Sequence, residues 1–353
     1  YFSCLLSRHT KPSMGFAIWL LFAICLHQFH ENSATIFSNG DTVGAPLWNI
    51  LDSAPIRADS YAVDRTSGLT VLLTANANVT YRSSDGGSSW SQVQTSSSTF
   101  KICGSSYNNT FFATRDHTTA KSAISEDGGY SWTNMSTDVN GGWCPVSSLG
   151  NGYIVNSRCC NTGSTGVSIS TDLGRSWVNK GLDGNINRLA VSASGEHMVL
   201  CDYGGWDKQI QYSTDYGNTW SNSPSSPQNA WMAIAGTSSL SLVVSVADLG
   251  NDPGSQITGD GYIYRSTDYG VTWTKTSAPQ KAWAGVGVSS GGEFVVAGER
   301  SDNEFYYSRD QGESWVSLGA VAGLSVLQVD LVVTSEGKFF PGLANGSLVY
   351  TYL

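Results

Sequence analysis

Apolar and polar residues alternate with a period of two in short runs bounded by Gly, Ser, Asn and Asp. This pattern predicts β-strands joined by tight turns. One stretch shows the plan: strands are expected over 282–288, 293–298, 304–308 and 314–318, four in succession. Trp143, Trp231 and Trp283 open equivalent first strands, and Ile210-Gln211-Tyr212-Ser213, Ile263-Tyr264-Arg265-Ser266 and Phe305-Tyr306-Tyr307-Ser308 are equivalent third strands.

Between third and fourth strands an eight-residue phrase, Ser-x-Asp-x-Gly-x-Ser/Thr-Trp, returns six times. Its aspartates are Asp85, Asp127, Asp172, Asp215, Asp268 and Asp310, at successive steps of 42, 45, 43, 53 and 42 residues. That period is the length of a four-stranded propeller blade, so the chain is expected to be all-β and to fold as a β-propeller. Each residue of the phrase has a mechanical reason: Ser and Asp bond backbone N–H groups across the turn, Gly supplies a positive φ, and Trp pins the turn to the sheet. After the sixth copy only three strands remain, near 327–333, 338–343 and 347–353. The Trp-led segment 46–51 is expected to supply the missing outer strand, which gives seven blades and a ring without exposed sheet edges.

The phrase resembles the Asp-box, or BNR repeat, of sialidases and related propellers. The strand cadence is also similar to that of photosystem II assembly-factor-like propellers. The resemblance implies that the boxes are structural and that function lies on the opposite face. In sialidase-like propellers that face carries three arginines clamping a carboxylate, a Tyr activated by Glu, an Asp acid/base, and an Arg-Ile-Pro motif near the first strand. This chain has Pro55-Ile56-Arg57 in reversed order and no Arg-Ile-Pro.

Abundant Gly and Ser, strands rich in Val, Ile, Thr, Tyr and Trp, and only 13% charged residues suit one closed domain, expected over 35–353. The net charge of −9, without Lys/Arg clusters, argues against nucleic acid or an anionic membrane as partner. Residues 16–26 form an apolar run about half the ~20 residues a membrane helix needs. Residues 1–34 are therefore read as a signal peptide with an upstream segment, with Met14 as a candidate start, cleavage near Ala34, a secreted product and no membrane insertion once the signal is removed. Four glycosylation sequons, at Asn78, Asn108, Asn134 and Asn345, agree with export. Cys103, Cys144, Cys159, Cys160 and Cys201 cluster in blades two to four, which in an oxidising compartment favours one or two disulfides and leaves one cysteine over. Their spacing suits no metal site, and no cofactor is expected.

The loops joining second to third strands should open on the face away from the boxes, and they hold the unusual residues. Candidate ligand-binding groups there are Arg57, Arg115, Arg158, Arg188, Asp202, Tyr203, Trp206, Asp207, Glu299 and Arg300. Loops on a rigid scaffold are where recognition usually resides. Trp206, flanked by Asp202 and Asp207, is the candidate for stacking on a sugar ring. The 53-residue step belongs to an insert over 248–260, whose oxygen-rich composition matches no calcium-loop spacing and reads as a turn-rich loop. Two function classes follow. One is a platform that binds carbohydrate or an extracellular protein; the other is a sialidase-like or other glycoside hydrolase drawing on the same arginines and carboxylates. No catalytic residue and no oligomeric state is specified by the sequence.

Overall fold

The computed structural model describes residues 48–51, 57–58, 60–75, 79–93, 100–103, 109–115, 123–135, 146–149, 153–158, 166–182, 186–202, 209–251, 258–321, 324, 331–345 and 347–353. They form seven four-stranded antiparallel sheets, each a blade of a closed β-propeller. Blade six is typical: Trp283–Val288, Val295–Glu299, Glu304–Ser308 and Val316–Ala320 pair in chain order from the inner strand outwards. The expected strands of this blade are all present, with the second and fourth displaced by one or two residues.

Blade seven closes the ring as expected. Asn49–Ile50 pairs antiparallel with Ser347–Tyr352, with Asn49 opposite Tyr350 and Ile50 opposite Val349, and the Leu51 amide donates to the Leu348 carbonyl at 2.8 Å. The chain therefore enters and leaves between the third and fourth strands of this blade. In every other blade that junction is an Asp-box turn, which explains six boxes for seven blades.

Strand ladders hold each blade together, and most of the apolar packing lies between blades. Buried apolar clusters span every seam, among them Val155, Ile169, Ile186 and Met198 between blades three and four and Leu51, Val63, Phe340 and Leu348 between blades seven and one. Strands sandwiched this way need apolar residues on both faces. All six residues of Trp231–Gly236 and of Trp283–Val288 are buried accordingly.

The six boxes share one geometry. The Ser hydroxyl donates to the Asp carboxylate at 2.7–2.9 Å and accepts the Gly amide at 2.8–2.9 Å. The same Asp accepts the amide of the following Ser or Thr at 2.8–2.9 Å and its hydroxyl at 2.5–2.7 Å. Trp90, Trp177, Trp220, Trp273 and Trp315 then donate Nε1 to the box Gly carbonyl, while the Trp132 Nε1 is buried without such a partner. Positive φ is needed at two successive residues, not one: Gly86 and Gly87 in the first box, Tyr269 and Gly270 in the fifth.

The boxes also fasten neighbouring blades. A Cβ added to Gly129 would fall 2.6 Å from Leu72, and one on Gly270 would fall 2.6 Å from Val199, each in the preceding blade. The carbonyls of Gly86, Gly128 and Gln311 accept Lys338 at 3.5 Å, Arg82 at 2.6 Å and Arg265 at 3.3 Å, again from the preceding blade. Turn and seam are thus built by the same eight residues.

One expectation needs correction. The insert after the second strand of blade five is not irregular at its base, where Leu249–Asn251 pairs with Thr258–Asp260 as a separate two-stranded sheet, with Leu249 opposite Asp260; residues 252–257 lie outside the described residues. Asp248 anchors its base, donating its amide to the Ala230 carbonyl and accepting the Gly261 amide on its own carbonyl. The antiparallel course of the flanking strands simply continues outwards, with Gly250 opposite Gly259.

Candidate functional site

Strand alternation fixes which loops share a rim. The Asp-box turns and the links from first to second strands lie on one rim; the links from second to third strands, and those between blades, lie on the other. The backbones of Arg57, Arg115, Arg158, Arg188, Asp202, Glu299 and Arg300 all belong to that second rim or to the strand ends beside it. Tyr203, Trp206 and Asp207 lie outside the described residues, as do the side chains of Arg115, Arg158 and Asp202.

The described side chains there have distinct surroundings. Arg57 is exposed before the inner strand of blade one, and Arg188 is half-buried on Ile186–Val191, the inner strand of blade four. Arg300 forms an ion pair with Asp248, tying the hairpin-bearing edge of blade five to blade six. Glu299 is 1% exposed and accepts the backbone amides of Ser301 at 2.9 Å, Asp302 at 2.7 Å and Glu304 at 3.2 Å. It closes its own loop. A carboxylate saturated this way organises backbone rather than acting on a ligand.

Two polar groups in blades five and six were not singled out from the sequence. In blade six the Lys281 ammonium donates to Glu304 Oε2 at 2.8 Å, and the Tyr306 hydroxyl donates to the same oxygen at 2.8 Å. Tyr306 stands edge-on to the buried Trp283, with ring centroids 5.3 Å apart. In blade five Asp260 accepts the Tyr264 hydroxyl at 2.5 Å and the Asn229 amide at 2.7 Å, and Tyr264 stands edge-on to Trp231 at the same 5.3 Å. The repeat thus places a Trp–Tyr–carboxylate group in each of two adjacent blades. The signal was present in the equivalence of Trp231 with Trp283 and of Tyr264 with Tyr306, but the carboxylates sit at different offsets, four and two residues before the Tyr.

Protonation follows from these contacts. The hydrogen bond to Glu304 pushes the Lys281 ammonium up to about 12, and the same bond holds Glu304 below the usual carboxylate range. Burial, then the bond to Glu304, raises the Tyr306 phenol; burial and Asp260 raise Tyr264 further. Both phenols stay protonated at neutral pH, and each hydroxyl donates its proton to the neighbouring carboxylate, Tyr306 to Glu304 and Tyr264 to Asp260. The charge of Glu304 is balanced by Lys281, whereas Asp260 is held by the neutral donors of Tyr264 and Asn229.

Of the proposed glycan acceptors, Asn134 is exposed on the outer strand of blade two and Asn345 is exposed in the hairpin of blade seven. Asn78 and Asn108 lie outside the described residues. Cys201 is buried on Met198–Asp202, the second strand of blade four, while Cys144, Cys159 and Cys160 and the side chain of Cys103 lie outside the described residues. No group of His, Cys, Asp and Glu with metal-binding geometry occurs among the described residues.

Closed ring, seven blades and six turns sharing one Ser–Asp–Gly geometry define an Asp-box β-propeller. A model of the BNR/Asp-box repeat matches residues 306–317, around the sixth box. Among solved structures the chain is similar to YCF48 bound to D1 peptide, at 16% identity and a TM-score of 0.59, over 88% of this chain and 96% of that one. It is similar to YCF48 from Cyanidioschyzon merolae at 13% identity and a TM-score of 0.61, over 86% and 98%. The GH74 xyloglucanase from Xanthomonas campestris matches at 12% identity and a TM-score of 0.59 over 87% of this chain, which spans only 52% of that enzyme. No curated protein matches the sequence. These likenesses establish the fold.

Proposed function

We propose that the protein is a secreted, non-catalytic platform that binds a glycan or an extracellular protein through the rim opposite the Asp-box turns. The observation that carries this reading is the engagement of four of that rim's five described carboxylates, Glu299 by three amides, Asp248 by Arg300, Glu304 by Lys281 and Tyr306, and Asp260 by Tyr264 and Asn229, with Asp302 exposed beside them. Glycoside hydrolysis by an acid/base pair needs two carboxyl groups held open to the scissile bond, roughly 5 to 10 Å apart. A carboxylate saturated by its own scaffold is poorly suited to that work. A propeller of the same fold bound to a peptide is in keeping with the platform. Arg57, Arg188 and the loops bearing Arg115, Arg158, Asp202, Tyr203, Trp206 and Asp207 are the surface assigned to the partner.

The second reading is a glycoside hydrolase, favoured by the Tyr306–Glu304 hydrogen bond and by the xyloglucanase among similar folds. One experiment separates them: purified protein is assayed on fluorogenic sialosides and on xyloglucan and β-glucan oligomers, alongside a glycan array and capture of secreted proteins. Binding without turnover is expected. Turnover abolished by Glu304→Gln would replace the platform with the enzyme. N-terminal sequencing of protein recovered from the medium tests secretion and the expected cleavage near Ala34.

A further inference from the structure

We propose that a cleft between blades three and four, on the rim that carries the Asp-box turns, is a saccharide-binding site separate from the rim discussed above. The cleft has a volume of about 370 Å³, within the roughly 300–1,000 Å³ of small-molecule sites. Blade three contributes Tyr153, Thr171, Val178 and Lys180, and the fourth Asp-box contributes Tyr216 and Asn218.

Internal repetition shows what is unusual here. His197 and Tyr153 occupy equivalent positions, each preceding the residue that pairs with a box serine, Met198 with Ser213 and Ile154 with Ser170. At the seam between blades four and five, His197 stacks flat on Tyr269 with centroids 4.0 Å apart and an interplanar angle of 18°. At the seam between blades three and four, Tyr153 and Tyr216 stay splayed at 6.2 Å and 56°. The same device is filled in one blade and open in the next. Tyr153 is held in place, its hydroxyl donating to the Tyr216 carbonyl at 3.3 Å and its ring packed against Gly195, where a Cβ would fall at 2.9 Å. Tyr216 and Val178 are left 45% and 58% exposed.

The lining selects the ligand class. Two phenol rings and an isopropyl group offer apolar surface beside the Thr171 hydroxyl, the Asn218 amide and the Lys180 ammonium. Lys180 donates to Asn218 Oδ1 at 2.7 Å, a neutral partner, and among the described residues no carboxylate lines the cleft. A wholly apolar ligand would bury these polar groups without partners, which is costly. A small inorganic anion would leave the tyrosines and Val178 unmatched. A pyranose presents a C–H face to an aromatic ring and hydroxyls at its edge, and so satisfies both halves of the lining.

The test uses the full chain. Neutral gluco-, galacto-, manno- and xylo-oligosaccharides and uronate- or sialic-acid-terminated ones are screened by array and by saturation-transfer NMR, and the tightest is titrated calorimetrically. Tyr216→Gly keeps the fold, because Gly86 and Gly128 fill that left-handed position in blades one and two. We expect it to weaken binding about tenfold, as for loss of one aromatic stacking contact. Lys180→Ala should weaken it several-fold, and Tyr269→Gly, at the filled seam, should not. The inference is overturned if no oligosaccharide binds the wild type, or if Tyr216→Gly binds as well as wild type. Loss of binding in Arg57→Ala but not in Tyr216→Gly would locate sugar recognition on the other rim and likewise overturn it.

Discussion

Replacing Gly270 by Ala tests whether the Asp-box glycine is a seam contact as well as a turn residue. Gly270 has φ of +86°, and a Cβ there would lie 2.6 Å and 2.9 Å from the two methyls of Val199 in the preceding blade. Val199 is wholly buried and, being β-branched, has little rotamer freedom with which to yield. The left-handed backbone costs an L-residue about 1–2 kcal/mol, and overpacking a close-packed seam costs about 1–3 kcal/mol more. Gly181→Ala isolates the first term, because Gly181 has φ of +69° and nothing within 4 Å of its added Cβ. The Gly270→Ala protein should therefore be less stable than Gly181→Ala by about 1–3 kcal/mol. Val199→Ala removes both offending methyls and leaves the Val199 Cβ at 3.4 Å, an ordinary contact. In that background Gly270→Ala should cost only the backbone term, so a double-mutant cycle should give a coupling of about 1–3 kcal/mol. Equilibrium urea unfolding followed by tryptophan fluorescence measures all four proteins. Equal costs for the two alanine variants, or strict additivity with Val199→Ala, would refute a packing role for the box.

Other perturbations probe the remaining parts of the ring. Deleting residues 36–51 removes the closing strand with buried Leu51 and should lower the melting temperature sharply; an unchanged melt would contradict closure by pairing with Ser347–Tyr352. The hydroxyl of Ser89 donating to Asp85, that of Ser176 to Asp172 and that of Thr219 to Asp215 hold these carboxyls down at about 2. Unfolded, they titrate near 4, so the stability they add is complete above about pH 5 and is lost as pH falls through 4 towards 2. The urea midpoint should be level from pH 7 to 5 and fall below pH 4, and Asp215→Asn should shrink that fall; a midpoint insensitive to acid would contradict the assignment. Arg300→Ala removes the Arg300 ion pair to the buried Asp248 carboxylate, and should cost about 1–3 kcal/mol and speed proteolysis within 249–260. Unaltered cleavage there would show that the pair does not anchor the hairpin.

Blade number and strand order were legible because they rest on local chemistry repeated in register, and closure because only three strands follow the sixth box while the Trp-led segment 46–51 offers a fourth. Ser83, Asp85, Gly87, Ser89 and Trp90 meet within one turn, so their spacing is their geometry. Contacts between blades were not legible in the same way. Nothing near Gly270 in the chain points to Val199, and the stacking of His197 on Tyr269 joins residues 72 positions apart. Glu299 stood out as an unusual loop residue, but a carboxylate that binds a ligand and one that caps its own loop have the same sequence appearance. The distinction lies in burial and in three backbone amides converging on it. The hairpin over 249–260 escaped notice because pairing of its short strands is dictated by the strands beneath it and not by its own alternation.

Closure between Asn49–Ile50 and the C-terminal strand has a temporal meaning for synthesis of the protein. Partners 301 residues apart, Asn49 and Tyr350, can meet only after the six blades between them have been synthesised. Six blades are able to assemble as they emerge, each against its predecessor, while the opening segment waits unpaired. The ring is then closed in one late step, and that weld, two residues wide, is where protection against amide exchange should first fail.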